Sequence, residues 1–361
     1  MKKLFKLLVV SLVAFALVAC GGGGTEGETP VGEGKTYNVG VAIYKFDDFM
    51  TLYQEEIKTA FKSAGAKDGN TYNVDIVDAK GDQAGQVEQI KNFITQDMDL
   101  IVANLVDPTG ADVVIADAKA ADIPVVLINR EPSVEVMSVW PGKTTYVGVD
   151  ATQSGIYQGE IIAELESKGD VNGDGTVNYI TLKGDAGNVD AEQRTEYSIK
   201  TLEKSITTNN IHGTEFQGNW DTELGEKHTS DALTKYGKDL EVVFANNDGM
   251  AIGAVQAIEK AGNRTIGEDI FVVGVDAIAD AKELLKEGKL TGTVLNDHFN
   301  QAQTVVEVAI KALNGEELSA YYWHDYVKVT KVEDAELKRA EYRKETVEEV
   351  TVRYAEREKA E

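Results

Sequence analysis

Cysteine is nearly absent. Cys20 is the single one among 361 residues, so no disulfide can form within the chain. Positive charge is scarce, with 36 Lys and Arg against 61 Asp and Glu and a formal net charge of −25. A surface of that sign repels phosphate backbones, which excludes a nucleic-acid partner and argues against a large anionic ligand. Nucleophile signatures are missing too. There is no G-x-S-x-G, and His212, His228, His298 and His324 have no nearby Cys or Ser in a nucleophile setting. Asp190 and Glu192 are two apart, so on a helix they share no face and are poorly placed to flank one bond. A phosphate cradle also fails. "GEGKT" ends like a Walker A loop, but Thr29 stands where its first glycine belongs, and the segment precedes the first strand.

What the N-terminus does contain has a grammar of its own. "MKKLFK" is basic and "LLVVSLVAFALVA" is apolar, yet that run is shorter than the ~20 residues of a spanning helix. Residues 1–19 read as a signal peptide. The ending "LVAC" resembles a bacterial lipobox, which implies cleavage before Cys20 and acylation of its thiol and new amino group. Residues 20–36, with "GGGGTEGETPVGEGK", read as a flexible tether with no core to bury.

From Tyr37 onward, short apolar runs alternate with amphipathic stretches. "YNVGVAIY", "YNVDIVDA", "DLIVANLV" and "IPVVLIN" read as strands, with helices such as "MTLYQEEIKTAFKSAGA" between them. A second cycle starts at "TYVGVD" and continues through "VNYITLKG", "LEVVFANND" and "IFVVGVD". Continuous Val/Ile runs alternating with helices predict parallel sheets covered on both faces and joined by right-handed crossovers. The fold class is α/β, two lobes of similar size with a cleft between them. The expected layout is an N-terminal lobe of 37–122 plus 296–329 and a C-terminal lobe of 123–295, with crossings near Asp122, Asn296 and Val329. Residues 330–361 are charge-dense with sparse apolar positions and read as a solvated helix or frayed tail.

In open α/β sheets ligands sit beyond the carboxyl ends of the strands. Here those places read "KFDDFM", "ANLVDP", "DAGNVDAEQR", "QGNWD", "ANNDGM", "GVDAIAD" and "VLNDHFN". Asn and Asp there can simply cap helices and turns. Capping does not explain Phe49, Arg194 and Trp220 at the same end of the elements. Two aromatics with a ring of Asn, Asp and Arg suit a neutral polyol. The flat faces cover C–H surfaces, and the charged groups bond hydroxyls strongly.

"DVNGDGTVN", residues 170–178, alternates oxygen-bearing side chains and then turns at glycine, as a chain does around a hard cation. The helix–loop–helix calcium site needs a bidentate Glu at position 12, which here is Thr181. The loop is therefore either half a calcium site or one whose last ligand lies elsewhere.

The motifs "GVAIYKFDDFM", "ANLVDP", "LKGDAGNVDAEQRTEY", "NWD", "VVFANNDGMAIGAV", "GVDA" and "GTVLNDHFNQA" occur in the order found in periplasmic galactose/glucose-binding proteins. The chain resembles that family from about Tyr37 to about Val329. The resemblance implies the type I periplasmic binding fold: two Rossmann-like lobes with parallel-sheet cores and a multi-stranded hinge. It also implies a non-enzymatic, monomeric solute-binding lipoprotein. Such a protein hands a monosaccharide to a membrane ABC permease and, in some bacteria, to a chemoreceptor. It would be extracytoplasmic and lipid-anchored to the cell membrane.

Carried over residue by residue, the sugar ligands are Asn104, Asp190, Arg194, Asn247, Asp276 and Asn296, with Phe49 and Trp220 sandwiching the ring. The family reads D-D-x-F where this chain has Asp47, Asp48 and Phe49 without a gap, so either carboxylate can be the one meeting the sugar. Asn188 stands where the family often has His. The family's calcium loop takes its last ligand from a distant Glu, here Glu241. The implied Ca2+ shell is Asp170, Asn172, Asp174, Thr176 (carbonyl), Asn178 and Glu241, with a structural role. Rival readings are a binding protein for ribose, xylose or a signalling furanose, a sugar-active enzyme, and a transcription regulator. The last would need a helix-turn-helix and basic patches that this chain lacks.

Overall fold

The computed structural model describes residues 34–336 and 341–360. The expected signal peptide, Cys20 and nearly all of the tether lie outside the described residues. Among the described residues no helix is long and apolar enough to cross a membrane.

The first lobe opens with β1 (Thr36–Ile43), α1 (Asp48–Asp68), β2 (Thr71–Asp78), α2 (Gln83–Thr95), β3 (Leu100–Ala103) and α3 (Ala111–Ala120). It continues through β4 (Val125–Ile128), the short α4 (Val134–Met137) and β5 (Thr144–Val149). Every residue of β3 (LIVA) and β4 (VVLI) is buried. Strands apolar on both faces belong in a sheet covered on both sides. Two apolar clusters flank this sheet, one around Tyr53, Phe61 and Ile57, the other around Phe93, Tyr146 and Trp323.

The second lobe runs from α5 (Ala151–Ala163) through β6 (Thr176–Lys183), α6 (Val189–Glu203), β7 (Thr207–Asn210), β8 (Phe216–Gln217) and α7 (Thr222–Tyr236). Then come β9 (Val242–Ala245), α8 (Asp248–Ala261), β10 (Phe271–Val273), α9 (Ala279–Lys286) and β11 (Thr293–Leu295). The chain ends with α10 (His298–Leu313), β12 (Tyr321–His324), β13 (Val327–Val329), β14 (Arg343–Glu345) and α11 (Val347–Ala360).

The first sheet has the order β14-β12-β5-β4-β3-β1-β2 and is parallel except for β14, which pairs antiparallel with β12. The second sheet is parallel, β10-β9-β6-β7, with β8 beside β6. A small antiparallel pair, β11-β13, completes the second lobe.

This topology corrects the expected boundaries. β4 and β5 pair in the first sheet, so the first crossing falls at Asp150 and not at Asp122. Local periodicity separates strands from helices but does not say which sheet a strand joins, so neither "IPVVLIN" nor "TYVGVD" marks the crossing. The second crossing is at Asn296–Asp297, between β11 and α10, which packs on α1, β3, β4 and β5. The third is at Asp325–Tyr326, between β12 of the first sheet and β13 of the second lobe, a few residues before Val329.

The C-terminal stretch is not a solvated tail. β14 returns to the edge of the first sheet, and α11 buries Val350 completely in the cluster that holds Trp323, with Val347 and Tyr354 packed beside it. Three apolar positions spaced three and four apart make a stripe wide enough to dock a helix, although charged residues surround it in sequence.

Candidate functional site

The carboxyl ends of both sheets face one cavity between the lobes, with about 380 Å³ of open space, its mouth included. Tyr44, Asp47, Phe49, Met50, Asn129 and Arg130 line it from the first lobe. Asn188, Asp190, Arg194, Trp220, Asn247 and Asp276 line it from the second, and Asn296 lines it at a crossing. Phe49 and Trp220 thus face the same cavity from opposite lobes. The lobes also touch directly. Arg130 Nη2 donates to Asp185 Oδ2 at 2.6 Å, and Lys45 Nζ reaches the Asn219 carbonyl at 3.5 Å.

Several polar lining residues are fixed because they also cap helices. Asp47 Oδ1 accepts from Met50 N at the start of α1, while its Oδ2 accepts from the Tyr44 hydroxyl. Asn188 caps α6 through Ala191 N, leaving its amide nitrogen free of that bond. Asn247 caps α8 through Met250 N, and its Nδ2 donates to the Trp220 carbonyl. Capping and pocket lining are therefore one arrangement, and it locks the side chains before any ligand arrives.

Backbone strain marks the same places. Asn129, Asn219, Trp220, Asp276 and Ala277 have φ of 61°, 50°, 65°, 121° and 52°. Such values are uncommon for residues with a Cβ and persist where the surroundings over-determine them. Gly184 is one surrounding element: a Cβ there would lie 2.1 Å from Trp220 Cζ2, so only glycine leaves room for the indole. Asp248, fully buried beneath the Asp276 turn, accepts from Ile278 N and from Thr293 Oγ1.

Arg194 runs along the floor. Nη1 donates to the Asn246 carbonyl at 2.8 Å and Nη2 to the Tyr326 hydroxyl at 2.9 Å, with Asp190 at 3.5 Å. Burial alone would lower its pKa, but Tyr326, Asp190 and Asp276 around it push it up. Desolvation raises the carboxyls of Asp47, Asp190 and Asp276, Asp276 the most, with Arg194 pulling the last two back. Arg194 Nε and Trp220 Nε1 are buried without a hydrogen-bond partner. Hydroxyl groups in the cavity would relieve both the raised carboxyls and the orphaned donors.

Not every expected residue reaches the cavity. Of the two candidate carboxylates, Asp47 lines it and Asp48 does not; Asp48 comes up instead to Gly249 at the start of α8. Asn104 is fully buried behind the lining, donating to Asn129 Oδ1 at 3.0 Å, with its own Oδ1 unpartnered. Tyr44, Met50, Asn129 and Arg130 were missed. Asn129 ends the stretch "IPVVLIN" and Arg130 follows it, so the carboxyl-end rule could have found them.

The 170–178 loop curls as its sequence predicts, with Gly173 and Gly175 at φ of 75° and 87°. Its side chains are occupied by backbone N–H groups. Asp170 accepts from Gly173 and Gly175, Asn172 from Asp174, and Asp174 from Thr176. Asn178 accepts from the Asn209 side chain. Glu241, fully buried, reaches this loop and accepts from Val171, Asn172 and Asn178 N–H. The donor set is all oxygen and fits a hard cation in chemistry. As arranged, no three His, Cys, Asp or Glu side chains among the described residues converge on a point that could hold a metal.

A family model described as a periplasmic binding protein domain matches residues 39–317. The D-galactose/methyl-galactoside binding periplasmic protein of Haemophilus influenzae is 34% identical over 317 residues, covering 86% of this chain and 89% of its own. The ribose import binding protein of Salmonella typhimurium is 27% identical, over 70% of this chain and 78% of its own. Among solved structures, a Bacillus halodurans ABC transporter solute-binding protein with bound myo-inositol superposes with a TM-score of 0.71 and 30% identity, covering 84% and 98% of the two chains. On fold, cleft and likeness together, the chain belongs to the periplasmic binding protein family, as a two-lobed solute-binding protein and not an enzyme.

Proposed function

We propose that this chain captures a neutral hexose, D-galactose or D-glucose, and delivers it to a membrane ABC permease. The observation that carries the reading is the pair Phe49 and Trp220, set on opposite lobes against one cavity ringed by Asp47, Asn188, Asp190, Arg194, Asn247, Asp276 and Asn296. An apolar sandwich with a polar girdle matches a pyranose, whose faces are C–H and whose rim is hydroxyl. An uncharged ligand suits the balance of charge. Arg130 is already paired with Asp185, leaving Arg194 among Asp47, Asp190 and Asp276. The galactose-binding relative supports the hexose; the relatives described with ribose and myo-inositol define the alternatives.

Calorimetric titration against D-galactose, D-glucose, D-ribose, D-xylose and myo-inositol tests this. Micromolar or tighter binding of galactose or glucose is the expected result. Binding of ribose, xylose or inositol alone overturns the hexose. The sugar should be recovered unchanged after incubation with the protein.

The reading has three further parts. Closure of the lobes by rotation at the three crossings presents both to the permease at once, and a chemoreceptor could use the same closed face. Cys20 carries a lipid anchor that holds a monomeric protein outside the cytoplasmic membrane. Ca2+ in the 170–178 loop ties it to β9 through Glu241, with Asp170, Asn172, Asp174, Asn178 and the Thr176 carbonyl completing the shell. Glu241 lying against the loop supports that last part. Binding requires Asp170 and Glu241 to exchange N–H partners for the ion.

A further inference from the structure

The C-terminal strap, β14 and α11, lies beyond residue 317, where the family match ends. It is anchored in the first lobe by the β14–β12 pairing, by buried Val350, and by the Tyr354 hydroxyl donating to Glu131. From that anchorage it reaches the second lobe at the crossing. Asp150, where the chain leaves β5 for α5, caps α5 by accepting from Thr152 N through Oδ1. Its Oδ2 takes two guanidinium groups, Arg353 Nη1 at 2.5 Å and Arg357 Nη2 at 2.6 Å. Arg357 also donates to Thr152 Oγ1 at 2.5 Å and lies 6.0 Å from the ring centre of Tyr197 on α6.

Arg353 and Arg357 are four apart and so share one helix face. Arg353 is held on the first-lobe side, over the Trp323 ring at 4.9 Å and on Glu345 at 2.9 Å. Arg357 reaches Asp150 and Thr152 at the crossing and Tyr197 in the second lobe, and lies 5.4 Å from the ring centre of Tyr354 in its own helix. A carboxylate shared by two such donors, with Asp150 only 11% exposed, makes strong charge-assisted bonds.

The lobe rotation proposed above would carry Asp150, which caps α5, together with Thr152 and Tyr197, while the strap, paired to β12, would stay with the first sheet. We infer that Arg353 and Arg357 set the protein's affinity for its solute from outside the cavity, by holding the lobes in the closed arrangement at the Asp150 crossing. A ligand that binds only the closed form gains apparent affinity in proportion to the fraction already closed. The strap is thus a built-in bias toward closure.

The test uses the full chain with Cys20→Ser and nitroxide labels at Thr109→Cys and Ala186→Cys, two exposed positions on opposite rims of the cleft. Double electron–electron resonance is recorded without ligand, then with D-galactose and D-glucose, alongside calorimetry. Arg357→Gln and the Arg353→Gln/Arg357→Gln pair keep Val350 and Tyr354 in place, and exposed Glu356→Gln is the charge control. Expected is a shift of the ligand-free distances toward longer values in both Arg variants and not in the control. Kd should rise roughly fivefold or more with it. Unchanged ligand-free distances in the double variant overturn the inference. Only the calorimetric arm rests on the hexose reading. If neither sugar binds the parent protein, that reading fails, while the ligand-free distances still decide the strap.

Discussion

Arg130 stacks on Tyr44, its guanidinium carbon 3.6 Å from the ring centre, and from that seat it pairs with Asp185 in the other lobe. Arg130 is 5% exposed and Asp185 37%, so solvent screens part of the pair. Asp185→Asn should weaken ligand binding by roughly 3- to 5-fold, about 1 kcal/mol at most. Calorimetry at low and high salt checks it. The parent should lose affinity with salt more steeply than Asp185→Asn, and parallel slopes would reject a cross-cleft role.

Trp220→Ala removes one wall of the proposed sandwich. A central aromatic truncation of this kind costs about 2–4 kcal/mol, a loss of roughly 30-fold to several hundredfold. Gly184→Ala makes the same point indirectly, because its methyl occupies space the indole fills. Both variants should retain their far-ultraviolet circular dichroism and lose sugar binding. Retained affinity in Trp220→Ala would sink the stacking assignment.

Glu131 gives a pH prediction. Burial pushes its carboxyl up to about 8, against some lowering by the Tyr354 hydroxyl and further raising by Asp150 and Asp190. With the folded pKa above the unfolded value of 4.5, the folded state binds the extra proton between those limits. Stability should therefore fall as pH rises through that window, by no more than about 1.4 kcal/mol per pH unit for one group. Asp248, raised to about 7 chiefly by burial, slopes the same way. Urea unfolding of the parent and Glu131→Gln at pH 5 and pH 8 separates the two. The variant should show the shallower decline; a steeper one contradicts the buried, proton-binding carboxyl.

Calcium binding should raise the melting temperature over that in chelator, since a ligand at a hundredfold excess over Kd adds about 2.7 kcal/mol. Asp170→Asn combined with Asp174→Asn should abolish the difference. Identical melts of the parent with calcium and with chelator would leave the loop a hydrogen-bonded turn.

The sequence made the alternation of strands and helices plain, because β3 and β4 are continuous apolar runs. It did not show that β4 and β5 finish the first sheet, since sheet membership is a long-range fact that no local period encodes. Most cavity residues were legible at strand ends by rule and by family likeness. Tyr44, Asn129 and Arg130 stand at strand ends as well, within reach of the same rule, but side chains of these types look like ordinary surface until a second lobe closes over them. α11 was misread because Val347, Val350 and Tyr354 are diluted by Glu and Arg, and the surface they dock on is assembled from distant segments, Val136 and Met137 of α4 together with Trp323 of β12.

Asp47, Asn188 and Asn247 serve a helix and the cavity with the same side chains. Replacing any of them perturbs folding and recognition together, so these three positions are poor places to retune selectivity. Tyr44, Met50 and Arg130 cap nothing, so a change there acts through packing or through the contact between the lobes and leaves the helix starts intact.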